Sequence, residues 1–104
     1  MIRISAPDTA FEGEVIELKA MIQHPMETGY RRDSKGEIIP TDIIKSFRCT
    51  YDGNVIFEAE FFPGIAANPF LTFHARASHT GKIEFSWTDQ HGERWAEERM
   101  LTVS

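Results

Sequence analysis

The single cysteine, Cys49, and the four histidines, His24, His74, His79 and His91, are the residues whose chemistry would matter first. A thiol becomes a nucleophile when a base or positive charge holds it as thiolate, and no histidine lies near Cys49 in sequence. Cys49 instead alternates with Phe47 and Tyr51 in "FRCTYD", which predicts a buried, unreactive core thiol. A copper centre would need a histidine and a methionine soon after the cysteine near the C-terminus, whereas Thr50, Tyr51 and Asp52 follow here. His24 and Met26 are two ligand types at close spacing without a third, so His24 is expected to cap the end of a strand. His74 falls beside Thr72 and Arg76 on an outward face, and His79 and His91 fall in turns, where water is the expected neighbour. Glu58 and Glu60 share one face of an expected strand and Glu97 and Glu98 take opposite faces, which suits solvent rather than a converging acid and base. These patterns predict no catalytic site, no metal site and no bound cofactor.

The elements that carry these residues alternate with a period of two. In "EVIELKAMIQ", Ile16, Leu18, Ala20 and Ile22 take one face, with Glu17 and Lys19 on the other. Phe47, Cys49 and Tyr51 form the inward row of the next strand, and Asp52-Gly53 signals a hairpin into "VIFEAEFF", where Val55, Phe57, Ala59 and Phe61 share a side. Breaks at Pro63-Gly64 and Asn68-Pro69 precede "FLTFHARA", with Leu71, Phe73, Ala75 and Ala77 inward. A hairpin through "SHTGK" then leads to Ile83, Phe85 and Trp87 in "KIEFSWTD", and "QHGE" turns the chain into a last strand, "RWAEERMLTV". With a short strand around Ile2 to Ser5, about seven strands result. That pattern predicts an all-β fold, an immunoglobulin-like antiparallel sandwich without an intersheet disulfide, in a single domain spanning 1–104. Trp87 is expected in its core.

Charge and hydropathy narrow the partners. A formal charge of −5 repels nucleic acid and anionic membranes, and the one basic cluster, Arg31, Arg32 and Lys35, is diluted by Asp33 and Glu37. No stretch approaches the roughly 20 apolar residues that span a bilayer. The N-terminus, "MIRISAPDTAFEGE", has no apolar signal region, which by itself suggests cytoplasm.

Two stretches exceed what a sandwich core needs. "HPMETGYRRDSKGEIIP" is a long connection, and loops of that length usually bind something or lack order. "FFPGIAANPF" sets Phe61 and Phe62 on opposite faces and adds Ile65 and Phe70 between prolines. Met26, Tyr30, Ile38 and Ile39 of the first stretch either fold back over the sandwich or join these aromatics in a surface for a partner.

The order of "HPMETGY", "FRCTYDG" with the following "VIF", "ANPF" and "FSWTDQHG" resembles the Z subunit family of SoxYZ, the sulfur-carrier complex of thiosulfate oxidation, from about Ile2 to Val103. The resemblance implies a non-catalytic immunoglobulin-like subunit in a heterodimer with a Y subunit. In that family the Y partner carries sulfur on a cysteine near the end of a glycine-rich C-terminal arm. This sequence ends in "MLTVS", so the resemblance makes it the support and not the carrier. It further implies transient contact with other Sox proteins, and a periplasmic location reached by co-export with the signal-bearing Y partner. Against that background His24, Met26, Gly29, Tyr30, Phe62, Asn68 and Phe70 are the expected partner-binding residues, with Met26 and Tyr30 as adaptable apolar contacts and Gly29 allowing a tight turn. Two exposed apolar stretches also predict self-association of the isolated chain. A small-ligand or metal-binding sandwich and a generic interaction domain are the competing readings.

Overall fold

Eight strands arise from these patterns in a computed structural model that describes residues 1–104: β1 (Ile2–Ser5), β2 (Thr9–Ala10), β3 (Val15–Ile22), β4 (Ile44–Tyr51), β5 (Asn54–Glu60), β6 (Phe70–Arg76), β7 (Gly81–Asp89) and β8 (Arg94–Val103). They form two sheets, β1-β3-β6 and β2-β8-β7-β4-β5. The predicted all-β sandwich is therefore the observed architecture. The strand missed by the sequence reading is β2, whose two residues lie parallel to the end of β8 while every other pairing is antiparallel.

The inward rows are those the alternation marks. Ile16, Leu18, Ala20 and Ile22 face Phe47, Cys49, Ile83, Phe85, Trp87 and Leu101 in one continuous core. Phe47 is its hub, with ring centroids 5.0 Å from Trp87 on the same sheet, 6.1 Å from Phe57, and 5.8 Å from Phe73 on the opposite sheet. Aromatic pairs at such separations add to what their buried area contributes. Trp87 is fully buried and its indole N–H finds no acceptor, a cost of about 1–3 kcal/mol that the surrounding packing offsets.

Two expectations need correction. Val55 is exposed rather than inward, because a register shift between Cys49 and Thr50 breaks the alternation where β5 begins. The segment after β6 is not a hairpin, since β6 and β7 belong to different sheets. It is a crossover, pinned by the Tyr51 hydroxyl, which accepts the N–H groups of Ser78 and His79 and donates to the His79 carbonyl. The β4–β5 turn does follow its sequence signal: Asp52 and Gly53 have φ of 50° and 85°, as a two-residue hairpin of mirror-image type requires.

Cys49 is fully buried, and that burial pushes its thiol up to about 12. At about pH 8 its thiolate fraction is then roughly a thousandfold below that of an unfolded chain. Thiol labelling of the native protein should be slower than labelling in denaturant by at least about that factor, and equal rates would place Cys49 at the surface. Stability should also decline as pH rises past the ordinary thiol range, because there only the unfolded chain releases the proton.

Candidate partner-binding end of the sandwich

The three connections 23–43, 61–69 and 90–93 leave the strands at one end of the sandwich. The longest is a second, irregular hairpin. Glu27 and Asp42 exchange backbone hydrogen bonds of 2.8 and 2.9 Å at its base, and Ile39 N–H reaches the Arg31 carbonyl at 2.8 Å further out. At the tip the Asp33 carboxylate accepts the N–H groups of Lys35 and Glu37, at 2.8 and 3.0 Å. The molecule is 58 Å long and 19 Å across, whereas its longest strand spans roughly 34 Å, so this arm extends the long axis. The expected irregular loop is thus an ordered arm.

Within the arm Arg31 pairs with Glu27 at 2.5 Å, and its hydrogen bond holds the Glu27 carboxyl below the usual carboxylate range. Gly29, at φ +88°, runs so close to Thr41 that a Cβ would lie 2.6 Å from its hydroxyl. Gly29 is needed for this positive φ and close approach, and it makes a bend on the arm's flank rather than the tight turn expected of it, which falls at Asp33–Gly36.

Both sides of the arm's base are stitched to the neighbouring connections. His24 N–H donates to Asn68 Oδ1 at 2.9 Å, and Asn68 N–H donates back to the His24 carbonyl at 2.8 Å. Asn68 adopts φ of 54°, a left-handed conformation that asparagine tolerates better than most residues. On the other side Gln90 accepts the Ile43 N–H through its side chain at 3.0 Å and returns its own N–H to the Ile43 carbonyl at 3.1 Å. Asn68→Ala removes the acceptor and the favoured φ together. A loss of about 1–3 kcal/mol is expected in urea unfolding; no loss would mean that the stitch carries no stability.

The structure brings His24, Met26 and Asn68, three of the expected partner-binding residues, together, but two of them are not surface contacts. Met26 is only 5% exposed, and His24 is buried beside it. A positive φ at Met26 turns the chain inward, His24 Nδ1 accepts the Met26 N–H at 3.0 Å, and Met26 Sδ accepts the Ile44 N–H at 3.2 Å. Met26 therefore belongs to the core and not to a binding surface, and a signal for this was present. The inward alternation from Ile16 to Ile22 continues in step through His24 and Met26 after the strand itself has ended.

Beside the charged tip of the arm, Arg31 to Glu37, this end leaves aromatic and aliphatic side chains in solvent. Tyr30, 86% exposed, and Ile38 lie on the arm, while Phe62 and Phe70 are 62% and 60% exposed. Phe61, Ile65, Ala66, Ala67, Asn68, Pro69, Phe70 and Leu71 line an apolar cleft of about 310 Å³. A larger trough, about 570 Å³, crosses the outer face of the five-stranded sheet. Four of its charges form two pairs, Arg48 with Glu58 at 3.2 Å and Arg94 with Glu84 at 3.3 Å, and Glu60 has no ion-pair partner. Ser78, His79 and Asp52 form a hydrogen-bonded chain, 2.9 and 3.1 Å, at the opposite end, where it lines neither depression and belongs to the crossover pinned by Tyr51.

The family described as "Sulphur oxidation protein SoxZ" matches residues 2–99. The chain belongs to the SoxZ family. Membership places it in the Sox system of sulfur oxidation. A search of curated proteins returned no match. Among solved structures, this SoxZ chain is similar to a superoxide reductase (neelaredoxin) from Ignicoccus hospitalis, with TM-score 0.74 and 15% identity, over 99% of this chain and 79% of that one. It is also similar to the sulfur carrier protein SoxY from Chlorobium limicola f thiosulfatophilum, with TM-score 0.70 and 14% identity, over 99% and 78%. A CARDB domain from Pyrococcus furiosus follows at TM-score 0.58 and 12% identity, over 99% and 92%. At these identities the likenesses describe the SoxZ fold and nothing finer.

Proposed function

We propose that this chain is the non-catalytic Z subunit of a SoxYZ-type heterodimer, supporting a Y partner whose terminal cysteine carries covalently bound sulfur. The observation that carries this reading, beyond the family itself, is the state of Cys49. Sulfur attachment needs an accessible thiolate, and the only thiol of the chain is fully buried with its pKa pushed up to about 12. This supports a cargo held on another chain. The aromatic end, with Phe62, Phe70 and Tyr30 in solvent, supplies apolar area of the kind that protein interfaces concentrate. The reading includes a periplasmic location reached by export together with the Y partner, transient contact of the heterodimer with other Sox proteins, and self-association of the chain when that end is uncovered.

Co-expression with a Y-type subunit followed by native mass spectrometry tests the proposal. A one-to-one complex is expected, with sulfur mass added to the partner's terminal cysteine after thiosulfate turnover and none added to Cys49. Absence of a complex with a folded Y partner, or sulfur on Cys49, would overturn it.

A further inference from the structure

We propose that the outer face of the three-stranded sheet docks an acidic surface of a partner protein, through Arg3, Lys19 and Arg76. Alternation along the strands sends Arg3 of β1, Glu17 and Lys19 of β3, and His74 and Arg76 of β6 away from the core. The register spreads them along the face: Arg3 lies beside Met21 at the arm end, Lys19 beside Thr72, Glu17 beside His74, and Arg76 beside Val15 at the far end. Three of the chain's eleven lysines and arginines therefore stand on a face that holds one of its sixteen acids. In a chain of formal charge −5, that is a segregation of sign.

The positive charge here is not neutralised within the chain. Glu17 lies 3.5 Å from Lys19 and 3.5 Å from His74, but Arg3 and Arg76 pair with no carboxylate. Their hydrogen bonds go to neutral acceptors, the Gly13 carbonyl for Arg76 at 2.6 Å and Met1 Sδ for Arg3 at 3.4 Å. The outer face of the five-stranded sheet is the reverse case, because Arg48, Lys82 and Arg94 each pair with a glutamate and Glu60 is left over. On the arm, Arg31 is taken by Glu27, and Asp33 and Glu37 stand beside Arg32 and Lys35. Charges more than about 8 Å apart are largely screened at physiological salt, so a surface in contact with this face meets its local sign and not the net charge.

The spacing of the charges and what lies between them select the occupant. Three cations spread over the length of a sheet match scattered carboxylates on a protein, and Met21, Thr72 and the exposed Phe70 add apolar and polar contact area among them. A nucleic acid or an anionic membrane carries denser negative charge, which the acidic remainder of the chain repels. Contacts of this kind steer and orient an encounter more than they tighten it. The face meets the aromatic end at Phe70, so its occupant sits beside the surface assigned to the Y subunit without depending on that assignment.

Amide NMR titration of the full chain with poly-L-glutamate of about 10 residues, long enough when extended to cross the face, tests the proposal. Shifts should concentrate on β1, β3 and β6, saturate below about 1 mM at about 20 mM salt, and weaken at least about threefold at about 150 mM. Arg3→Glu with Lys19→Glu should weaken binding by at least about 10-fold, with the fold of the variant read from the same spectra. Arg48→Glu with Lys82→Glu, an equal change of net charge on the opposite face, should alter it by less than about threefold. No saturable shift, shifts centred on the arm or the five-stranded sheet, or equal loss in the two double variants would overturn the proposal. Tighter binding of a single-stranded DNA of similar length, or of phosphatidylserine vesicles, at the same face would overturn it as well, by assigning the face to another occupant.

Discussion

Replacing Phe62 and Phe70 together with alanine is expected to weaken the complex with a Y-type partner by about 100-fold or more, while the chain alone unfolds at its original temperature. Both rings are largely in solvent, so truncating them opens no cavity, and surface substitutions of this kind usually alter stability by less than about 0.5 kcal/mol. At a protein interface, aromatic anchors cost about 2 kcal/mol or more each when truncated, and about 2.8 kcal/mol already makes 100-fold. Phe61 is the internal control. It is buried one position before Phe62, so Phe61→Ala should lower stability first and affinity only through it. Calorimetric titration of the double variant against the partner decides the matter. Affinity within about threefold of the original would move the partner surface elsewhere, to the exposed Phe11, Val15 or Met100.

Phe47→Ala should remove about 3–5 kcal/mol, a large part of the total stability of a domain of this size. Its ring contacts Trp87 and Phe57 within its own sheet and Phe73 across the core, so its loss leaves a cavity that neither sheet can fill without sliding on the other. Urea unfolding followed by tryptophan fluorescence would show the shift in midpoint. Phe47→Leu, which restores most of the lost volume, should recover more than half of it. A loss below about 1 kcal/mol for the alanine variant would mean that the sheets do not pack through Phe47.

The core was legible because burial on one face imprints period two on the sequence, and rows such as Ile16 to Ile22 and Ile83 to Trp87 show it without interruption. Sequence reasoning failed where backbone geometry changes the period or the partner. The register shift at Cys49 and Thr50 turned Val55 outward, and the crossover at Ser78 looked like a hairpin because its turn residues are the same in both cases. Met26 was misplaced because a strand's end was equated with the core's end, although the inward row runs on for two more steps. The aromatic end was visible as excess apolar residues, and the structure leaves Tyr30, Phe62 and Phe70 in solvent there. The cluster of His24, Asp42 and Asp89 was not visible, since its members are distant in sequence and only folding brings them together.

The three-stranded sheet contains no hairpin: β3 finds its long partner only in β6, which follows the arm and the whole β4–β5 unit in the chain. During synthesis at about 5–20 residues per second, the apolar row of β3 therefore waits several seconds with its edge unpaired, while β4 and β5 can close at once. A nascent chain that stops before Phe70 leaves the β3 edge that receives β6 unpaired, and it also lacks Ile83, Phe85, Trp87 and Leu101 from the layer that Leu18, Ala20 and Ile22 face. Such fragments should aggregate, and reaching Arg76 does not end the exposure, because β7 and β8, the middle of the five-stranded sheet, are made last and only their arrival closes the core.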